Sequence, residues 1–228
     1  MQNNTALKVL AFTASSKRPI YLRHCILQLQ NQSVSVDHGI YINSPDYQSI
    51  EDKHNYSSLI DDIGARNNNQ ILVAYGPSAS HHQNHMAAAN LFDINTYDLF
   101  LKIDDDDIYR KHYVRDVVAD YLKNGWDFSG AISQGHINKD EWRKNDNLRS
   151  YISDSKHKEG HFMPPTFAWT KKAMTIINSI DNIVGAEDSV WKDTLLNSKD
   201  IKVATREQSN FSYNIHTQNN TINYEEIP

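Results

Sequence analysis

Tyr97-Asp98-Leu99-Phe100-Leu101-Lys102-Ile103-Asp104-Asp105-Asp106-Asp107-Ile108-Tyr109 sets four consecutive aspartates on the end of an apolar run. Leu99, Phe100, Leu101 and Ile103 predict a short buried strand, with Lys102 its only charge. Four adjacent carboxylates repel one another and do not pack unpaired in an interior. A divalent cation relieves that repulsion, and hard carboxylate oxygens suit Mg2+ or Mn2+. The end of a strand is also where open α/β sheets bind ligands. The bland alternative is a solvated acidic loop; against it, the run is joined directly to a core strand. Tyr109 stands where an EF-hand calcium loop needs glycine, which argues against that loop.

Upstream, Leu7 to Phe12 predicts a strand and Thr13 to Pro19 a polar loop. Ile20, Leu22, Cys25, Ile26 and Leu29 then recur at helical spacing, with Pro19 in the first turn, where proline is tolerated. The backbone N–H groups of such a helix start can hold an anion. Gly39 to Ile42 reads as a second strand, closed by the turn cluster Asn43-Ser44-Pro45-Asp46. Residues 47–70 are polar, and Leu59, Ile60 and Ile63 predict one short helix. Gln70 to Tyr75 reads as a third strand and His85 to Phe92 as a helix. His81 and His85, four apart, share a helix face at a spacing zinc sites use, but no neighbouring cysteine or glutamate completes such a site.

Downstream, Tyr113, Val114, Val117, Val118, Tyr121 and Leu122 predict a helix ended by Gly125. Phe128 to Ile132 reads as a strand. Residues 133–160 are polar and too long for an ordinary connection, so they read as functional or mobile. His136, His157 and His161, in or beside that stretch, read as surface residues. Met163 to Trp169 reads as extended and Lys171 to Ile180 as a helix. Gly185-Ala186-Glu187-Asp188 precedes a helix carrying Val190, Trp191, Leu195 and Leu196. A strand over Ile201 to Ala204 and the segment Ser212 to His216 complete the pattern. With alternating β and α elements in its first half and no repeat or linker, the chain predicts one α/β domain.

The 228 residues are 39% hydrophobic and 22% charged, which fits a soluble globular protein. A net charge of −5 argues against nucleic acid, which needs a basic patch. No apolar stretch reaches the length of a membrane span, and Met1 to Thr5 lacks the marks of a signal peptide. The single Cys25 cannot form an internal disulfide and reads as a small core residue. The expected location is the cytoplasm, with a working place at the inner face of the membrane.

Four stretches, in order, resemble glycosyltransferases of the GT-A fold and are similar to glycosyltransferase family 2. VLAFTASSKRPIYLRHCILQLQNQ resembles that family's first strand, its Arg-Pro loop and the helix ending in Gln. LFLKIDDDDIY resembles its DxD strand, GAEDSVWKD its late Glu-Asp motif, and YNIH the histidine that serves some members as a further metal ligand. Two places depart: Ser16-Lys17 stand where the family often has Tyr-Asn, and Asn43-Ser44 where it often has aspartates. The resemblance implies a single GT-A (Rossmann-like) nucleotide-sugar-binding domain, α/β, with a mostly parallel central sheet flanked by helices. Residues 1–110 would form the donor nucleotide half, 111–216 the acceptor half and 217–228 a polar tail that orders over the bound donor.

The implied reaction is an inverting transfer of a hexose from a nucleotide sugar, with UDP the expected base, to a saccharide or glycolipid hydroxyl in surface polysaccharide synthesis. Departure of the diphosphate builds charge on phosphate oxygens, which a divalent metal stabilises as a Lewis acid. By resemblance, Asp106 and His216 bind the metal, Mn2+ or Mg2+. Thr13, Ser15, Arg18, Asn43, Asn84, Asp104 and Asp105 would line the donor site, and Asp107 would cap the next helix. A base must take the acceptor proton, for which Asp188 is the choice, with Glu187 contacting the acceptor. The competing reading of Glu187-Asp188 is ordinary charge at a helix N-terminus. Trp191 is the candidate aromatic for the acceptor site; Trp126, Trp142 and Trp169 read as core or partly buried anchors. Two rivals stand beside this reading. A haloacid dehalogenase-type phosphatase also carries Asp-x-Asp after an apolar strand, but usually the first strand. A non-catalytic carbohydrate or nucleotide-sugar binding module is the other.

Overall fold

A computed structural model describes residues 7–43, 69–77, 79–132, 137–145, 148–153, 162–181, 183, 186–206 and 210–216, with backbone alone for 137–145, 148–153 and 214–216. The expected helix around Leu59, the expected tail 217–228 and the three histidines at 136, 157 and 161 lie outside the described residues.

The apolar runs form the strands of the larger sheet. β1 (Val9–Ser15), β2 (Asp37–Asn43), β3 (Ile71–Gly76) and β4 (Leu99–Lys102) pair in parallel. With β6 (Phe128–Ala131), β9 (Ala168–Thr170) and β10 (Val203–Arg206) they make a seven-stranded sheet in the order β10-β6-β9-β4-β1-β2-β3. Only β9 runs against its neighbours, pairing antiparallel with both β4 and β6, so the sheet is mostly parallel.

Its two faces follow the side-chain period of a strand. Val9 and Ala11 pack beneath α1 (Pro19–Gln30) and α3 (Tyr113–Asn124), through Cys25, Leu29, Val114 and Val117. Leu10 and Phe12 point the other way, toward α2 (His81–Ala89), α4 (Lys171–Asn178) and α5 (Glu187–Asn197), through Met86, Met174, Trp191 and Leu195. A strand covered on both faces reads as a continuous apolar run, which is why β1 and β4 stood out in the sequence. Close approach of α2 is set by Gly39, where a Cβ would lie 2.1 Å from the Ala88 carbonyl oxygen. Cys25 is fully buried, as expected.

Several boundaries move for local reasons. α2 begins four residues earlier than its apolar pattern, because Ser80 and Gln83 form a reciprocal capping box. α3 stops at Gly125, whose φ of 61° is left-handed. Pro164–Thr166 is a 3-10 turn rather than extended chain, and β10 lies two residues beyond its apolar run.

The largest correction concerns residues 133–160. β7 (Ile137–Asn145) and β8 (Leu148–Ser153) form an antiparallel hairpin there. With β5 (Ile108–Tyr109) and β11 (Phe211–His216) they build a second, four-stranded sheet in the order β5-β11-β8-β7. A slip in register between Ile137 and Trp142 breaks the two-residue alternation that would have marked β7 as a strand.

The topology fixes where a ligand can sit. The chain builds β1, β2 and β3 outward in one direction, then returns to place β4 on the other side of β1. The crevice outside the carboxyl ends of β1 and β4 is thus a switch point of the sheet, where open α/β folds bind ligands.

Candidate functional site

Ser15 closes β1 and Lys102 closes β4, so the acidic run emerges at that crevice. α1 pins the far side of the turn. Gln28 accepts the Tyr109 backbone N–H at 2.5 Å, and Gln32 donates to the Tyr109 and Arg110 carbonyls at 3.3 and 3.0 Å. The Asp104 backbone N–H donates to the Tyr109 hydroxyl at 2.9 Å, and that hydroxyl donates to the Pro165 carbonyl at 3.1 Å. Backbone and glutamine side chains therefore hold the turn, leaving its carboxylates to other partners.

Asp104, Asp105 and Asp106 each meet one of two cations, Arg18 and Lys102. Arg18 reaches Asp105 Oδ1 at 2.7 Å and Asp106 Oδ2 at 2.5 Å, while Ser15 Oγ donates to Asp105 Oδ2 at 2.5 Å. Arg18 is delivered by Lys17, which takes the left-handed conformation at φ 53°. Lys102 Nζ lies 2.7 Å from Asp104 Oδ1 and 3.3 Å from Asp188 Oδ1. Burial works against both cationic charges, yet the surrounding carboxylates outweigh it and hold Arg18 and Lys102 above their usual ranges. Burial pushes the Asp105 carboxyl up, against the pull of Arg18, and does the same to Asp188 against the pull of Lys102.

The opposite wall is the first turn of α5 with α2. His85 Nδ1 lies 3.0 Å from Glu187 Oε1 and His81 Nδ1 3.9 Å from the same oxygen. Burial alone would raise the Glu187 carboxyl; the His85 hydrogen bond, followed by the charges of His85 and Lys102, holds it below its usual value. Trp191 Nε1–H donates to His82 Nδ1 at 2.9 Å, so His82 carries its proton on Nε2, 2.9 Å from the Ile180 carbonyl.

The expected site residues divide into those at the crevice and those beneath it. Asp104, Asp106, Arg18, Glu187 and Asp188 come together there, from three separate parts of the chain. Asn43 ends β2, opposite Gly76 of β3. Ser15 and Asp105 are buried behind the turn and support it. Asn84 is buried, its amide 3.4 Å from the Ala79 carbonyl.

Two expectations are corrected. Thr13 does not face a donor, because it is wholly enclosed and bonded at 2.8 Å to His38, a histidine that burial holds down to about 3. Trp191 does not line an acceptor site, because its ring is 0% exposed and packs edge-on against Trp169, His82 and His85. His216 pairs through its backbone with Ser150 of β8, and its side chain lies outside the described residues. β11 also pairs Ser212 with Ile108, the residue directly after the acidic run, and runs antiparallel to it. The strand is thereby carried on in the direction of the acidic turn.

Sequence reasoning missed His82 and His85 as partners of α5, and Lys102 as a bridging cation. The one lysine in a fully apolar strand was the available signal, because a buried charge requires a counter-charge.

Among the described residues, no three His, Cys, Asp or Glu side chains gather into a group able to hold a metal ion by themselves. His81 and His85 gain no third ligand of the kind a zinc site needs among the described residues, and His85 Nδ1 is committed to two acceptors, the Glu187 carboxylate and the His81 carbonyl at 3.1 Å. The acidic turn is different. Six carboxylates, Asp104 to Asp107 with Glu187 and Asp188, stand around two permanent cations, Arg18 and Lys102. Hard oxygen donors in such excess fit Mg2+ or Mn2+ shared with a ligand's own oxygens.

No family model matches the chain, and no curated protein matches it. Solved structures do. Staphylococcus aureus TarS 1-349 in complex with UDP-GlcNAc superposes with a TM-score of 0.60 at 12% identity, over 91% of this chain and 58% of that one. The mannosyltransferase PcManGT from Pyrobaculum calidifontis, in complex with GDP-Man and Mn2+, gives 0.59 at 9% identity, over 90% and 56%. A 4-diphosphocytidyl-2C-methyl-D-erythritol synthase from Anaerococcus prevotii gives 0.54 at 13% identity, over 90% and 89%. The fold is that of the GT-A glycosyltransferases, as the sequence resemblance implied. The chain spans somewhat under two thirds of the glycosyltransferase chains it matches. No helix among the described residues is long and apolar enough to cross a membrane.

Proposed function

We propose that the chain is a metal-dependent glycosyltransferase that moves a hexose, with inversion, from a nucleotide sugar to a saccharide or glycolipid hydroxyl. The observation that carries the reading is the excess of carboxylate at the switch point of a GT-A sheet. Such a crevice repels a bare diphosphate and accepts one that arrives with a cation. UDP is the expected base from the sequence resemblance; TarS is seen with UDP-GlcNAc and PcManGT with GDP-Man and Mn2+, so both kinds of donor enter the test. Synthesis of a surface polysaccharide at the inner face of the membrane is the setting that fits such an acceptor.

Asp106, with His216 from β11, would hold the cation, whose charge would stabilise the leaving diphosphate. Arg18 sits on Asp106, so a cation there takes over a carboxylate that Arg18 now neutralises. Asp188 accepts the proton of the acceptor hydroxyl as that hydroxyl's oxygen bonds to the anomeric carbon, and the bond from that carbon to the diphosphate breaks with its electron pair on the leaving oxygen. Glu187, held by His85, would contact the acceptor; among the described residues its second oxygen is buried with no hydrogen-bond partner. The two halves, 1–110 and 111–216, would serve donor and acceptor.

A nucleotidyltransferase is the second reading, because the Anaerococcus synthase shares the fold across 90% of this chain and 89% of its own. The acidic run follows β4, with three other strands before it among the described residues, which disfavours the dehalogenase-type phosphatase. Thermal melting with UDP-GlcNAc, UDP-glucose, UDP-galactose and GDP-mannose, each with Mn2+, tests the proposal. Selective binding at a hundred times the dissociation constant adds about 2.7 kcal/mol of apparent stability. Stabilisation by one nucleotide sugar, followed by release of its nucleotide, supports the transferase. Binding without any release supports a non-catalytic module, release of pyrophosphate from CTP the nucleotidyltransferase, and turnover of p-nitrophenyl phosphate the phosphatase.

A further inference from the structure

The lysine of the central strand has a use beyond neutralising the aspartates that follow it. β4 is buried at all four positions, and Lys102 itself is 2% exposed. Its backbone is fixed, with the N–H donating to the Phe167 carbonyl at 3.1 Å. The side chain leaves the strand toward two carboxylates that belong to different elements: Asp104 in the acidic turn, at 2.7 Å, and Asp188 on the first turn of α5, at 3.3 Å. Asp188 Oδ1 is buried and, among the described residues, has no hydrogen-bond partner; the Lys102 ammonium is the cation it faces, as an ion pair. Glu187, its neighbour, is directed elsewhere, to His85. The position of the Asp188 carboxylate therefore depends on a cation anchored in the sheet, since α5 begins at Glu187 with no side-chain cap of its own.

We propose that Lys102 is a positioning residue that clamps Asp188 to the acidic turn, fixing the separation between the proton-accepting carboxylate and the donor side of the crevice. What Asp188 does there rests on the transferase reading; the clamp rests on the geometry. A lysine is suited to this because one ammonium offers three donors and bridges two carboxylates from a single anchored stem. Removing it leaves two partly buried carboxylates facing each other without a counter-charge, so they separate.

A double-mutant cycle distinguishes a clamp from general support. Lys102→Gln and Lys102→Met are made in the wild type and in Asp188→Asn, and nucleotide release is followed with the nucleotide sugar that the melting screen selects. The expected result is a loss of turnover of about 10-fold or more in the wild type, with affinity for UDP plus Mn2+ changed by less than about 3-fold. In the Asp188→Asn background the same change costs less than about 2-fold, because the carboxylate it positions is already gone. Equal losses in both backgrounds, or lost nucleotide affinity, overturn the proposal.

A second readout needs no substrate. In protein labelled with 15N-lysine, the Lys102 ammonium, assigned by its loss in Lys102→Gln, should give a protected signal that shifts in both Asp104→Asn and Asp188→Asn. A shift in only one, or no protected signal, overturns the clamp. If the wild type turns over no nucleotide sugar, the transferase reading fails while the ammonium signal still decides the clamp. Should Lys102→Met fail to fold, the Gln variant and the two Asn variants carry the test.

Discussion

His85 Nδ1 lies 3.0 Å from Glu187 Oε1, with the ring 4% and the carboxylate 6% exposed. The same nitrogen lies 3.1 Å from the His81 carbonyl, so the ring donates into a fork of two acceptors and ties α2 to the first turn of α5. Phe12 and Trp191 meet the His85 ring at 77° and 74°, edge to face, which holds it in place. The pair gives α5 an attachment that its own sequence lacks.

His85→Gln should therefore destabilise the protein at neutral pH, by about 1.5–3 kcal/mol, the scale of a hydrogen bond to a charged group. The pH dependence has a definite sign. The folded Glu187 carboxyl is held below its ordinary 4.5, so its contribution is complete above that value and fades as pH falls through the lower folded value. Denaturant unfolding at pH 6 and pH 3 should show the variant's deficit shrinking at the acid end. An equal deficit at both would mean that Glu187 is not held by His85.

Much of this arrangement was readable in advance, and the unread part has physical causes. Leu99 to Asp107 announced a buried strand opening into a charged turn, because a strand covered on both faces needs an apolar run and nothing else in the chain has four adjacent acids. β7 and β8 were not readable as strands, since Ile137 and Trp142 stand five apart across a register slip and the rest of β7 is polar. Trp191 looked like a sugar platform because it follows Asp188 by three residues. Helical spacing does not say which way a face turns, and this one turns into the Trp169 cluster.

Arg18 occupies two carboxylates of the turn, Asp105 and Asp106. A divalent cation arriving alone has to displace a bidentate guanidinium, among the stronger charge-assisted contacts. Arg18→Met should tighten binding of Mn2+ alone by about 10-fold or more, read by calorimetry without nucleotide. Unchanged Mn2+ affinity would show that Arg18 and the cation do not share Asp106.

Asp188→Asn should leave binding of UDP plus Mn2+ nearly intact and lower turnover by about 100-fold or more, the usual scale for losing a general base. Its carboxylate already lies against Lys102, so the isosteric amide keeps the shape of the turn. Full activity in the variant would move the base elsewhere, with Glu187 next in line.

His216 ends β11, the strand that pairs with Ile108 immediately after the acidic run. An imidazole ligand favours Mn2+ over Mg2+, nitrogen being softer than carboxylate oxygen. His216→Ala should weaken metal-dependent UDP binding and flatten the preference for Mn2+. An unchanged Mn2+ to Mg2+ ratio of affinities would show that the residue is not a ligand.

The most direct test of the account is titration calorimetry of UDP into the wild-type protein, once with Mn2+ and once in excess chelator. Six carboxylates around two cations should refuse a bare diphosphate and accept one accompanied by metal. The predicted result is clear binding with Mn2+ and a loss of about 10-fold or more in affinity without it. Equal affinity in the two titrations, or no binding in either, would contradict the account.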